Sequence, residues 1–250
     1  MDIRKRLKEI EEILPGDYGD LSSAKKYLDS IERSGVNELL SVFEKMKDVE
    51  FDYYSSFYEI FSKELNFITY SLKDIEDLCP IIKGDEDRIG IYISAAINKI
   101  IKDGDEVRLN FRNRRIDFIG MYLSKGKVIV EGDAGDSFGR LMKGGSIHIK
   151  GNARSYVGYE MENGSIIVEG NARDNVGSGM KGGSIIVEGN ARDNVGSGMK
   201  NGNIIIEGNA GNNIGYYSQT GEIRIDGEYK SIWWGCEAKI YHKGKLIRRY

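Results

Sequence analysis

The sequence predicts an α+β protein in two parts. A mostly α-helical segment spans 1–105, and a right-handed parallel β-helix of about seven nineteen-residue coils spans 106–239, closed by a capping tail over 240–250. Three observations carry this. Gly132, Gly151, Gly170, Gly189, Gly208 and Gly227 are nineteen apart, and Gly126, Gly145, Gly164, Gly183, Gly202 and Gly221 keep the same interval. Between the two series lie short alternating stretches: "KVIVE", "SIHIK", "SIIVE", "SIIVE", "NIIIE" and "EIRID". Residues before about 105 have neither feature and show helical spacing instead.

The helical elements come first in the chain. "IRKRLKEIEEIL" puts Ile3, Leu7, Ile10 and Leu14 on one face and stops at Pro15-Gly16. "SSAKKYLDSIERS" follows and ends near Gly35, and Asn37 is placed to cap "ELLSVFEKMKDV". "DYYSSFYEIFSKEL" is aromatic-rich; a helix buried in a small core is favoured over a partner groove. Ser71 opens "SLKD" as a capping box, and "GIYISAAINKIIKDG" reads as a buried helix running into Gly104.

The repeat follows. Alternation at period two sends Ile166 and Val168 inward and Ile167 and Glu169 outward. Ala134, Ala153, Ala172, Ala191 and Ala210 follow the second glycine. Phe138, Val157, Val176, Val195 and Ile214 come four later, and Met142, Met161, Met180 and Met199 close the unit. A worn first copy places Leu109 and Phe111 in the strand slots and Ile119 in the valine slot. Each unit reads as strand, glycine turn, second short strand and glycine-rich turn. One unit cannot bury its own inward face, so copies must stack, ~4.8 Å apart. An open end exposes unpaired strand groups. The helical part is expected to cover the first coil, and "KIYHKGKLIRRY" to blunt the last.

Gly177, Gly179 and Gly182 of "GSGMKGG" have the G-x-G-x-x-G spacing of a dinucleotide loop. That loop needs a helix after it, and here a strand pattern follows; the letters also recur at 196–202. The glycines belong to the coil.

Stacking turns outward positions into columns. Asn152, Asn171, Asn190 and Asn209 fit either an amide ladder or left-handed turn positions. Glu169, Glu188 and Glu207, with Lys150 and Glu131, make a mainly acidic column. Arg154, Arg173 and Arg192 make a basic one with Asp174 and Asp193 beside it, and Lys143, Lys181 and Lys200 another. A docking strip, a cation site and a solvated ion-paired wall all fit, the last being favoured.

Composition excludes several classes. The 40% hydrophobic content supports a core, and the net charge of −3 gives no general pull toward nucleic acid or an anionic membrane. No apolar run approaches the ~18 residues of a membrane span. The opening "MDIRKRLKEIEEIL" is a charged amphipathic pattern rather than a signal peptide. Cys79 and Cys236 stand far apart, which suits a reducing, cytoplasmic setting. A single glutamine among many lysines and glutamates fits a thermophile. His148 and His242 have no metal-ligand spacing, and no catalytic residue, metal or cofactor is expected.

The repeated "I-x-V-E-G-N-A … V-G-S-G-M-K-G-G" resembles the GXGXG motif. That motif marks the C-terminal β-helical domain of the glutamate synthase large subunit, and it occurs in one component of formylmethanofuran dehydrogenase. The resemblance covers roughly 107–239 and implies a structural piece within a larger oxidoreductase rather than a site of chemistry. Three functions follow as expectations. The first is a non-catalytic scaffold presenting a ladder wall to a protein partner or a second copy. The second is an accessory subunit of a redox or amide-transfer complex. The third is a small-anion binder or enzyme at a cleft between the helical part and the first coils. In that cleft Arg108, Arg112, Arg114 and Arg115 of "IKDGDEVRLNFRNRR" would meet the anion.

Overall fold

The computed structural model describes residues 34–46 and 54–248. The two helices expected over 3–14 and 22–34 lie outside them, apart from Ser34. The first described helix is α1, Ser34–Met46; then come α2, Tyr54–Glu64, a short 3-10 turn at Leu65–Phe67, α3, Leu72–Leu78, and α4, Glu86–Ile100. Asn37 lies inside α1 instead of capping it. The helix starts earlier because Val36 is buried on the same face as Leu39 and Phe43. Gly35 fits in that first turn because a Cβ there would meet Asp74 Oδ2 at 2.6 Å. Ser71 makes the expected capping box: its hydroxyl accepts from Asp74 N, and Asp74 Oδ2 accepts from Ser71 N at 2.8 Å. Phe57 and Phe61 pack in the helical core, where Phe61 lies 4.7 Å from the Tyr92 ring centroid. Tyr54 of the same aromatic-rich stretch is exposed, as is Phe67 in the turn after it.

Nine strands form one sheet in chain order. They are β1 Glu106–Leu109, β2 Lys127–Val130, β3 Ser146–Ile149, β4 Ser165–Val168, β5 Ser184–Val187, β6 Asn203–Ile206, β7 Glu222–Ile225, β8 Lys239–His242 and β9 Lys245–Arg248. The first eight pair in parallel, each with its equivalent one coil on, and β9 turns back antiparallel on β8. The product is a parallel β-solenoid of about seven coils. Ile166 and Val168 are buried and Ile167 is half-buried, as alternation requires. The core runs continuously from the helices along the isoleucine, valine and methionine columns.

Two details depart from the sequence reading. Each coil has one four-residue strand, not two. The expected second strand is replaced by turns in which Asn175, Gly177 and Gly179 take positive φ of 64°, 67° and 66°, conformations that cannot continue a strand. Their amides still bond between coils, as in Gly177 N–H to Val157 O at 2.8 Å. The first coil is also longer than nineteen residues. β1 pairs Val107 with Val128 and Leu109 with Val130, so Val107 and Leu109 fill the strand slots and Phe111 is buried outside the strand. Left-handed Arg112 and Asn113 lie in the loop that takes up the extra length.

Side chains of the helical part satisfy backbone groups of the first coil. Ser94 Oγ donates to Phe118 O at 3.0 Å and accepts from Gly120 N at 2.9 Å. Asn98 Nδ2 donates to Met121 O at 2.8 Å, and Glu76 Oε1 accepts from Arg108 N at 2.8 Å. Among the described residues no helix is long and apolar enough to cross a membrane.

Candidate functional site

At each coil's corner the chain reads Asn-Ala-Arg-Asp or a variant of it. The outward–inward alternation exposes Asn171, buries Ala172 and exposes Arg173. Repeated along the stack, this makes a groove of about 440 Å³. Ala134, Ala153 and Ala172 lie along its floor, Asn152, Asn171 and Asn190 on one rim, and Arg154, Arg173 and Arg192 on the other. Alanine keeps the floor low.

The asparagine rim is a ladder. Asn171 Nδ2 donates to Asn152 Oδ1 at 3.1 Å, and Asn190 Nδ2 to Asn171 Oδ1 at 2.9 Å. Each Oδ1 also accepts the next coil's backbone N–H, at 2.9 and 2.8 Å. Asp133 starts the ladder by accepting from Asn152 N at 2.9 Å. That backbone bond and the Arg115 guanidinium at 2.7 Å hold the Asp133 carboxyl below its ordinary range. The left-handed role falls to a different column, Asn175, Asn194 and Asn213.

The arginine rim lacks such neutralisation. Its neighbouring aspartates are turned to the backbone: Asp174 Oδ1 accepts from Asp193 N at 3.1 Å, and Asp193 Oδ1 from Asn212 N at 2.7 Å. This second ladder, which also includes Asp117 and Asp136, was not read from the sequence; its signal was aspartate recurring at the nineteen-residue interval. Arg154 keeps one loose partner, Asp136 at 3.8 Å. Arg173 and Arg192 have no carboxylate within 4.0 Å among the described residues. Stacked one coil apart, ~4.8 Å, they repel each other.

The four arginines of the expected anion cleft do not converge. Arg108 bonds to Glu106 at 2.6 Å and Glu131 at 3.2 Å on the strand face. Arg112 sits in the left-handed turn, its N–H bonded to Asn110 Oδ1 at 2.9 Å. Arg114 donates to Ile82 O at 2.5 Å, tying the first coil to the loop after α3. Arg115, paired with Asp133, is the one of the four that lines the groove.

The other charged columns are partly ion-paired. Glu169 accepts from Lys150 at 3.0 Å and lies 2.8 Å from His148 Nε2, and Lys150 foremost holds its carboxyl below the ordinary range. Lys181 pairs with Glu162 at 3.3 Å, and Lys143 lies 5.5 Å from the centroid of the Tyr122 ring. Cys79 and Cys236 are free and buried. "GSGMKGG" forms a turn into β5, with no helix after it. No protein-family model matches this chain, and no curated protein matches it.

Proposed function

We propose that this chain is a non-catalytic protein-interaction module whose arginine-lined groove docks an acidic helical segment of a partner protein. The observation that carries the reading is the pair Arg173 and Arg192, neutralised by no carboxylate among the described residues, in line with Arg154 and facing an amide ladder. A folded wall gains nothing from stacking like charges, whereas an anionic partner relieves the repulsion. Three guanidiniums at ~4.8 Å steps span ~10 Å. Carboxylates on one helix face at i, i+3 and i+7 span about 10.5 Å at 1.5 Å per residue. Same-face carboxylates of a strand at i, i+2 and i+4 span about 13 Å, a poorer match. The resemblance to GXGXG-type domains, structural pieces inside larger assemblies, points the same way.

The test is fluorescence anisotropy with a labelled, alanine-rich helical peptide carrying glutamate at i, i+3 and i+7. Exposed ion pairs contribute ~0.2–1 kcal/mol each, so Arg173→Glu/Arg192→Glu should weaken binding by about tenfold or more, with marked salt dependence. Equal binding by the double variant would refute the groove. Equal affinity for a proline-interrupted peptide of the same charge would refute the helical register.

A further inference from the structure

A second concavity of about 550 Å³ lies where α2 and α4 meet the first coils, and it shares no lining residue with the arginine groove. The repeat changes here. Elsewhere the left-handed corner position is asparagine, at Asn175, Asn194 and Asn213; along the cleft it is Phe118, Ser137 and Tyr156, with φ of 59°, 60° and 62°. Phenylalanine and tyrosine are poorly suited to that conformation, so local stability has been given up where the cleft forms. Arg140 and Tyr159 stand where later coils carry Ser178 and Ser197.

One polar group in the wall has no partner among the described residues. Ser137 is 6% exposed and lines the cleft, and its hydroxyl makes no hydrogen bond to any described residue. Its oxygen is not sealed off from the cleft, so a ligand's hydroxyl can reach it. Beside it, the Asp87 and Asp117 carboxyls line the same wall. Tyr54 donates to Asp87 Oδ2 at 3.1 Å, and Asp117 Oδ1 accepts from Asp136 N at 2.6 Å. Burial foremost pushes the Asp117 carboxyl up to about 7, against the lowering effect of the Asp136 backbone N–H and with the nearby Asp87 carboxyl raising it further. The lining carries groups of both signs, the Asp87, Asp117 and Asp136 carboxyls and the Arg140 guanidinium. The cleft therefore offers hydrogen-bond donors and acceptors side by side. Tyr54 and Tyr156 expose ring surface at its mouth, and Arg140 lies 4.4 Å from the centroid of the Tyr159 ring.

We propose that this cleft binds a neutral saccharide, one ring seated on the tyrosine faces with its hydroxyls bonded to Ser137 and the Asp87–Asp117 pair. A free anion would meet carboxyl groups and a free cation would meet the Arg140 guanidinium, whereas a ring with polar edges and C–H faces suits both the polar and the aromatic surfaces. The volume fits one or two sugar rings.

The test is saturation-transfer difference NMR and calorimetry on the full chain. The probes are D-glucose, D-galactose, D-mannose, D-xylose and their β-1,4- and α-1,4-linked disaccharides. Binding of at least one probe is expected, weakened at least fivefold by Ser137→Ala and at least tenfold by Tyr156→Asn. Tyr156→Asn restores the residue type of the later coils, so its melting temperature should equal or exceed that of the parent. Loss of binding in a variant that melts no lower separates ligand contact from fold damage. No binding by any probe, or unchanged affinity in both variants, would overturn the proposal.

Discussion

Gly177, the first glycine of the nucleotide-loop look-alike, is a position where the backbone conformation and the core both exclude a side chain. Its φ is +67°, and a Cβ there would lie 2.3 Å from Ile204 Cδ1, an atom of a fully buried side chain on β6. Gly177→Ala therefore carries two costs. Placing an L-residue in the left-handed region costs about 1–2 kcal/mol. Crowding a packed core costs about 1–3 kcal/mol more. The sum is about 2–5 kcal/mol. The two costs can be separated, because Ile204→Val removes the clashing methyl and leaves φ unchanged. Ile204→Val alone should cost about 0.5–1.5 kcal/mol. In the double variant most of the crowding is relieved, leaving only a 3.2 Å approach to the γ carbon, so the pair should be coupled by about 1–3 kcal/mol in the favourable direction. Urea denaturation of the four proteins, followed by circular dichroism, gives the cycle. Strictly additive costs would show that Gly177 does not face Ile204 and that the stacking of these coils is wrong.

Two further outcomes are expected. Asn171→Ala removes the middle rung of the amide ladder, whose Oδ1 accepts from Asn190 N and Nδ2 at 2.8 and 2.9 Å. As an exposed rung it should cost only about 1–2 kcal/mol in the same urea assay, and a loss above about 4 kcal/mol would mean that the ladder is not solvent-facing. Asp117, facing Asp87, Asp136, Tyr54 and Arg140, has its folded-state value raised to about 7 from an unfolded value near 4, chiefly by burial. The native state then binds the extra proton between about pH 4 and 7, so this group's contribution to stability falls as pH rises through that window. Melting temperature measured from pH 5 to 8 should decline less steeply in Asp117→Asn than in the parent; parallel slopes would contradict the raised value.

Regular parts of the fold were legible because each position is reinforced by copies above and below it. Ile166, Ile185 and Ile204 occupy one slot in successive coils, so period and inward face followed from spacing alone. Irregular parts were not. Two extra residues before Ile119 shift β1 relative to a strict nineteen-residue projection, and an insertion leaves no periodic trace. The missing second strand was hidden because Val176-Gly177 alternates like a strand, while the left-handed backbone of its glycine is invisible in the letters. Function was harder still. A column of arginines is visible in the sequence, but whether Asp174 and Asp193 neutralise it depends on where their carboxyls point, and they point to backbone amides. The cleft joins Tyr54 and Asp87 to Ser137 and Tyr156 across more than a hundred residues of sequence between the first and last of them, a convergence only tertiary structure provides.

The direct measurement is amide hydrogen exchange on a chain lacking residues 190–208, one whole coil. If coils are interchangeable rungs, Gly189 joins Asn209 in register, the shortened protein folds, and the amides of β5 and β7 stay as slowly exchanging as in the parent. Rapid exchange throughout β5 and β7, in a chain that remains soluble, would show that these residues do not form a stack of equivalent coils.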